Sequence, residues 1–250
     1  EWVKEQGLDK TRQANLEIVN NKIIIGAKKD SKEFKVNANN FDRMLVKVLV
    51  WLYRFGASNI NIKFSDKKSL RDIRKVLDKK IIGFEVIEQT SNSCVIRDIT
   101  RESANEFKTV LRRAFLLIIQ LAEGFESEEK PEIESMEQSI DKLTAFCQRL
   151  LMLQGHTDFL KIPYYYQVCT DLEHLGDDYS ALYSLNKKVK AKNYMNYINK
   201  LLRETYNLMY NFDEKKYTKT EVLLSNIYNK IKSDFYNTNS NKIELYFLLS

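Results

Sequence analysis

Hydrophobic residues near the start of the chain predict a β hairpin. Leu16-Glu17-Ile18-Val19 and Lys22-Ile23-Ile24-Ile25 each have the composition of a strand, and Asn20-Asn21 between them tolerates the left-handed backbone of a tight turn. Two strands alone cannot bury a hydrophobic core. A segment that precedes Glu1 or a second chain is therefore needed to complete this unit, and we expect the protein to be a homodimer.

Residues 39–100 change their hydrophobic spacing several times and predict a small α/β unit. Apolar residues recur at helical spacing over 41–52, until Gly56 ends the helix. Residues 59–64 alternate between apolar and polar, as in a half-buried strand. A second helix over 70–77 and two strands over 83–89 and 94–99 follow. The order helix, strand, helix, strand, strand is that of a small α/β unit.

The rest of the chain, residues 101–250, shows only helical spacing. Pro131 and Pro163 lie where a helix begins and a missing N–H group costs nothing, and Gly124 and Gly155 lie near helix ends. Helices of about 20 residues joined by short loops are typical of an antiparallel bundle. The predicted helices cover residues 102–125, 132–153, 163–188, 192–210 and 218–236. The overall fold class is therefore α+β.

The composition is that of an ordinary folded protein, but the charge is uneven. Of the 250 residues, 44% are hydrophobic and 30% are charged, and no apolar run reaches the roughly 18 residues of a membrane span. Three scattered cysteines (Cys94, Cys147 and Cys169) fit reduced thiols and a cytoplasmic location better than a disulfide framework. Residues 1–100 carry 20 Lys and Arg against 13 Asp and Glu, whereas 101–250 carry 20 against 21. A basic N-terminal part favours binding of DNA or RNA, although solubilising lysines explain the same excess.

Sequence motifs of the common enzyme classes are absent. The chain contains no GxSxG, no GKS or GKT phosphate loop, no GxGxxG and no HExxH. Its two histidines, His156 and His174, have no partner at the spacing of zinc ligands. We therefore expect a protein that is not an enzyme.

Two pairs of acidic residues stand four positions apart on predicted helices. Glu137 and Asp141 share one helix face, and Glu173 and Asp177 share another. Carboxylates from two adjacent helices can gather around a hard or borderline cation. We therefore predict a site for a divalent, iron-type or zinc-type metal at these four residues.

Basic and small residues near these pairs also shape the prediction. Lys142 and Arg149 follow Asp141 on the same predicted helix, and they would offset its charge if the acidic face were solvated and held no metal. Gly176, beside Asp177, costs about 1 kcal/mol relative to alanine in a helix interior. Close packing of two helices explains its presence.

The acidic motifs resemble those of the phosphate-uptake-regulator (PhoU) family. Glu173-His174-Leu175-Gly176-Asp177-Asp178 is similar to the family's Glu-Arg-Ile-Gly/Ala-Asp-His signature, and Ser139-Ile140-Asp141-Lys142-Leu143 is similar to its Glu-Val-Asp-Arg-Leu segment. Residues 82–91 resemble the connector that precedes the helical bundle in archaeal members. Glu1-Trp2-Val3-Lys4-Glu5-Gln6-Gly7-Leu8 resembles the end of the LPKEWVKxxGL motif in the AbrB/SpoVT-type swapped-hairpin domain of those proteins.

The resemblance implies three parts: an AbrB/SpoVT-like domain over 1–38 that lacks its first strand, a small α/β domain over 39–100, and a PhoU-like helical bundle over 101–250. It also implies a regulator linked to phosphate uptake. The family's helical domain has two halves with acidic motifs, whereas here only the second and third helices carry them, so at most one complete acidic site is implied. His174 and Asp178 replace the usual Arg and His of the signature.

Three functional hypotheses follow. The first is a non-enzymatic regulator whose AbrB-like dimer contacts the phosphates of nucleic acid through Lys4, Lys10, Arg12, Lys22, Lys28 and Lys29. The second is a dimeric interaction protein that docks on a transporter subunit, a ribosome or another large assembly, which the run Tyr164-Tyr165-Tyr166 favours because tyrosine is enriched at interfaces. The third, a metal-dependent hydrolase at the four carboxylates, lacks a general base and a phosphate cradle.

Overall fold

The protein has a mixed α+β fold, as the sequence predicts. The computed structural model describes residues 14–19, 22–27, 32–100, 106–124, 132–154, 158–184 and 192–237. The chain forms two compact units. One, the sheet unit, comprises Glu1–Ala104 with Gln148–Tyr166, and the other, the helical unit, comprises Asn105–Cys147 with Gln167–Ser250.

The N-terminal hairpin is present. Strand β1 covers Ala14–Val19 and strand β2 covers Lys22–Ala27, and the two pair antiparallel from Ala14 opposite Ala27 to Val19 opposite Lys22. Only residues 20 and 21 separate the strands, so the predicted two-residue connection is confirmed.

A four-stranded sheet organises the sheet unit. Its strands are β3 (Glu33–Asn37), β4 (Asn59–Lys63), β5 (Phe84–Gln89) and β6 (Ser93–Asp98), in the order β3-β4-β6-β5. Strand β3 runs parallel to β4, and the other two pairs are antiparallel. The sequence pattern did not predict β3. Its five residues form an edge strand only because β4 pairs with them, and local spacing does not report such pairing.

Two helices cover the buried face of this sheet. Helix α1 (Leu45–Arg54) follows two short 3₁₀ turns, so it begins a few residues after the start of the predicted periodicity. Helix α2 (Lys67–Lys79) is capped by Asp66, whose carboxylate accepts a hydrogen bond from the backbone N–H of Ser69 at 2.6 Å. The core consists of alternate strand residues and one stripe of each helix: Val36, Ile60, Ile62, Cys94 and Ile96 with Leu45, Leu49, Leu52, Ile73 and Val76.

Helix α1 ends in a Schellman motif at Gly56. The N–H of Gly56 donates to the carbonyl of Tyr53 at 3.0 Å, and the N–H of Ala57 donates to that of Leu52 at 3.0 Å. Gly56 has φ of 90°, which only glycine adopts without strain. A Cβ at this position would also lie 2.8 Å from Leu153 Cδ2. The glycine therefore serves both the turn and the packing beneath it.

All five helices predicted after residue 100 are present. They are α3 (Phe107–Gly124), α4 (Ile133–Gln154), α5 (Ile162–Ser184), α6 (Lys192–Tyr210) and α7 (Glu214–Asn237). No helix within the described ranges is long and apolar enough to cross a membrane.

Contacts in the helical unit show that α3 and α6 run antiparallel. Arg112 Nε of α3 donates to the hydroxyl of Tyr206 at 2.8 Å, and Asn199 Nδ2 of α6 donates to the carbonyl of Ala122 at 2.9 Å. The hydroxyl of Tyr183 on α5 donates to the carbonyl of Leu121 at 3.0 Å. Side chains of two neighbouring helices thus satisfy carbonyls at the C-terminal end of α3.

Helix α7 packs on α6 through a small separate core. Tyr194, Ile227 and Ile231 are its buried members, and Ile198, Leu201 and Leu223 pack against them. Lys230, toward the end of α7, lies over the ring of Tyr194 at the start of α6, and only residues 211–213 separate the two helices, so they are also antiparallel. The outer face of α7 is largely exposed.

Candidate metal centre

Three of the four predicted carboxylates come together in the helical unit. Glu137 and Asp141 lie on α4 and Asp177 lies on α5, and one oxygen atom from each lies within 4.8 Å of the others. Asp141 is only 5% exposed, Glu137 is half-buried and Asp177 is exposed. The cluster therefore extends from a buried carboxylate to one that solvent reaches, which gives a cation a path of entry.

Gly176 explains why α4 and α5 approach closely at this level. A Cβ on Gly176 would lie 3.3 Å from Ile140 Cγ2, which is tighter than ordinary packing, and 3.6 Å from Ile118 Cδ1, which is an ordinary van der Waals contact. Ile140 and Gly176 immediately precede Asp141 and Asp177. The predicted packing role of the glycine is confirmed, and the same contact places the two carboxylates side by side.

The fourth predicted ligand, Glu173, is not part of the group. It lies one helical turn before Asp177 on α5 and is half-buried. Asp178, which replaces the histidine of the PhoU signature, also lies outside the group. Burial and the negative charge of Asp177 raise the pKa of Asp178, and His174 lowers it. This end of α5 therefore already carries unfavourable negative charge.

The chemistry of the group fits a hard cation. All three donors are carboxylate oxygens, which suit Mg²⁺, Mn²⁺ and Ca²⁺ better than the soft metals that thiolates select. The three cysteines of the chain are buried, and burial raises the pKa of the Cys94 thiol to about 11. The group holds neither cysteine nor histidine.

Arg149 does not offset the charge of the cluster, although the sequence allowed it to. Its guanidinium lies in the sheet unit, where Nη2 is 2.6 Å from Oδ2 of Asp98. Nη1 donates to the carbonyls of Tyr53 at 2.9 Å and Ala57 at 2.8 Å. The guanidinium of Arg149 is thus engaged by Asp98 and by two backbone carbonyls of the sheet unit.

The predicted nucleic-acid contacts fall mainly on undescribed parts of the chain. Lys4, Lys10, Arg12, Lys28 and Lys29 lie outside the described residues. Lys22 is the first residue of β2, opposite Val19, and only its backbone is described. Their role as phosphate contacts stays a prediction.

Several large apolar side chains of the described chain are exposed, and of these only Tyr164 belongs to the tyrosine run that the sequence indicates as an interface candidate. Trp51 and Phe55 stack on α1 with ring centroids 5.3 Å apart. Phe159, Leu160 and Tyr164, at the start of α5, are 73%, 63% and 74% exposed. Their spacing marks Trp51 and Phe55 as neighbours on one helix face, and the structure shows that they remain 58% and 37% exposed although Lys32 and Phe34 contact the ring of Phe55.

Comparison with protein-family models, with curated proteins and with solved structures finds no match to this chain. The resemblance to PhoU proteins therefore rests on the sequence motifs and stays a prediction.

Proposed function

We propose that the protein is a non-enzymatic regulator similar to the PhoU family, linked to phosphate uptake. In this proposal the helical unit binds a divalent cation and the N-terminal hairpin forms part of a dimer that binds nucleic acid. The observation that carries the proposal is the convergence of Glu137, Asp141 and Asp177 from two helices. The second and third helices after residue 100 are those on which the resemblance places acidic motifs.

Cation binding would link α4 to α5. Repulsion between the three carboxylates disfavours close approach of the two helices. A cation bound by all three replaces this repulsion with attraction of each carboxylate to the shared positive charge. Because the cation binds the folded chain, it stabilises the fold by mass action, by about 2.7 kcal/mol at a hundredfold excess over Kd. The stability of the packing of α4 on α5 would therefore depend on the cation concentration.

Nucleic-acid binding would come from the basic N-terminal part. The two antiparallel strands β1 and β2 support this part of the proposal, because a hairpin of this size needs a second copy to bury a core. Six candidate lysine and arginine side chains lie in residues 1–29, so a dimer would present twelve. Lysine and arginine contacts to phosphate supply affinity that is independent of sequence and sensitive to salt.

Metal analysis and nucleic-acid titration test the two parts separately. Protein purified without chelator should contain a divalent metal near one equivalent per chain, and EDTA should lower its Tm. Affinity for duplex DNA or for RNA should fall by about 10³-fold between 50 and 200 mM salt if six phosphate contacts form. Metal-free protein whose Tm is indifferent to added Mg²⁺, Mn²⁺ and Ca²⁺ would refute the cation site.

A dimeric interaction protein is the second candidate function. The exposed side chains of Phe159, Leu160 and Tyr164 favour it, since large apolar groups clustered on a surface mark sites of protein association. Both candidates predict a dimer mass by light scattering. They differ in nucleic-acid binding: absence of measurable affinity at low salt would favour the interaction protein, with a transporter subunit or a ribosome as the kind of assembly it docks on.

A further inference from the structure

A cleft between α6 and α7 collects positive charge in the helical unit. It has a volume of about 550 Å³ and lies toward the ends of the helices that the 211–213 connection joins. Lys200 of α6 and Lys216 and Lys219 of α7 line it, and Glu204 is the only acidic residue in its lining. The lining therefore carries three ammonium groups against one carboxylate.

The rest of the lining offers apolar and amide surface. Val222 and Leu223 supply the apolar part, and Leu223 also packs against the core that joins α6 to α7. Asn207 and Asn226 add carboxamides, each with two donors and an acceptor. Thr220 also lines the cleft, and its hydroxyl donates to the carbonyl of Lys216 at 2.9 Å.

We propose that this cleft binds a phosphorylated small molecule of nucleotide size. Lysine ammonium groups recognise phosphate as point charges, and three of them on one concavity fit more than one negative charge. The apolar and amide lining fits a body with both flat apolar surface and polar edges, as a nucleoside has. A volume of about 550 Å³ lies within the range of small-molecule sites and exceeds what inorganic phosphate needs.

Local structure positions the lysines at the cleft, and all three are exposed. Asp213 caps the start of α7 by accepting a hydrogen bond from the backbone N–H of Lys216 at 2.8 Å, which orients the first turn. Lys216, Lys219 and Leu223 then recur at helical spacing on one face of α7. Helix α6 supplies the other wall of the cleft, on which Lys200 and Asn207 lie about two turns apart.

Titration calorimetry on the full chain, with ATP as the probe and EDTA present, tests the proposal. EDTA keeps divalent cations from the carboxylate cluster, so the result is independent of the proposed metal site. We expect one ATP per chain, weaker binding of AMP, and much weaker binding of adenosine and of inorganic phosphate at matched ionic strength. Lys216→Gln and Lys219→Gln should each weaken ATP binding by about tenfold, since each removes a charge-assisted hydrogen bond.

Lys215→Gln is the matched control. Lys215 is exposed on the same turn of α7 but does not line the cleft, and at physiological salt its charge is screened, so we expect a change of no more than about twofold. The three substituted lysines are all exposed, and circular dichroism of each variant verifies that the helices remain. Absence of ATP binding, or equal losses in Lys215→Gln and Lys216→Gln, would overturn the proposal.

Discussion

The guanidinium of Arg149 and the carboxylate of Asp98 form a buried ion pair, with Nη2 2.6 Å from Oδ2. The side chains of Arg149 and Asp98 are 2% and 13% exposed. Nη1 of Arg149 donates to the carbonyls of Tyr53, in the last turn of α1, and Ala57, just beyond it, where a cation also complements the helix dipole. The rings of Tyr53 and Phe84 lie 4.9 and 5.1 Å from the guanidinium carbon. One side chain of α4 thus joins β6, α1 and the core of the sheet unit.

Replacing Arg149 with methionine should destabilise the protein severely. The variant Arg149→Met keeps an unbranched apolar stem but leaves the carboxylate of Asp98 buried beside two carbonyls without their donor. Breaking a buried pair in this way costs about 3–5 kcal/mol. The measurement is the free energy of unfolding from urea titration, and Arg74→Met, an exposed arginine of α2, should change it by no more than about 0.5 kcal/mol.

Removing the unpaired charge of Asp98 should restore part of the free energy of unfolding that Arg149→Met loses. Asp98→Asn in the Arg149→Met background takes away the buried negative charge, so the double variant should be more stable than Arg149→Met alone. A double variant that loses the full sum of the two single losses would show that Arg149 and Asp98 act independently.

Substitution of Gly176 should separate helix propensity from packing. Gly176→Ala gains about 1 kcal/mol of helix propensity, but its Cβ would lie 3.3 Å from Ile140, so the net change should be small. Gly176→Leu forces α5 away from α4 and should cost about 1–3 kcal/mol. It should also abolish any rise of Tm with added cation. Gln167→Leu, at an exposed position of α5, is the control and should leave both properties near those of wild type.

The carboxyl group of Asp178 should make stability depend on pH. Burial, and then the charge of Asp177, raises the pKa of Asp178 above its usual value of 3.8. The folded chain therefore holds this proton more tightly than the unfolded chain, and stability falls as the pH rises from 3.8 through the folded pKa. Asp178→Asn, which stays neutral, should raise Tm at pH 7 in the presence of EDTA.

The pH dependence of Tm distinguishes this effect of the Asp178 charge from a gain in stability that is the same at every pH. The Tm difference between Asp178→Asn and wild type should shrink as the pH falls through the folded pKa and below 3.8, where the wild-type carboxyl group becomes protonated in both states. Asp78→Asn, at an exposed site of α2, is the control. A Tm difference that is constant from pH 3 to pH 7 would contradict the assignment.

Asp177→Asn should invert its effect when a cation is added. Without divalent cation the substitution removes one of three clustered negative charges, so Tm should stay the same or rise. With Mg²⁺ or Mn²⁺ at a hundredfold excess over Kd, wild-type Tm should rise by roughly 5–10 °C and the variant should gain less. Thermal melting of wild type and variant with EDTA and with each cation shows whether the order of their Tm values changes.

Glu173→Gln is the matched control for that experiment. Glu173 was predicted as a ligand but lies outside the group of three, so its neutral variant should retain the wild-type response to cation. Equal losses of response in Glu173→Gln and Asp177→Asn would place Glu173 at the cation after all.

Local pattern predicted most of the secondary structure because helices and hairpins form from residues close in the sequence. The spacing of apolar residues located all seven α-helices of the described chain, and Gly56 marked the end of α1 correctly. Strand β3 escaped because an edge strand of five residues carries little signal without its partner.

The sequence by itself determined which carboxylates share a helix face, since residues four apart lie on neighbouring turns whatever the helix packs against. Only the tertiary structure decided which of them meet. Glu173 and Asp177 lie about 6 Å apart along the axis of α5, and the contact of Gly176 with Ile140 sets the register that brings Asp177 to Glu137 and Asp141. The partner of Arg149 was decided in the same way, because Asp98 is 51 residues away and no local spacing connects the two.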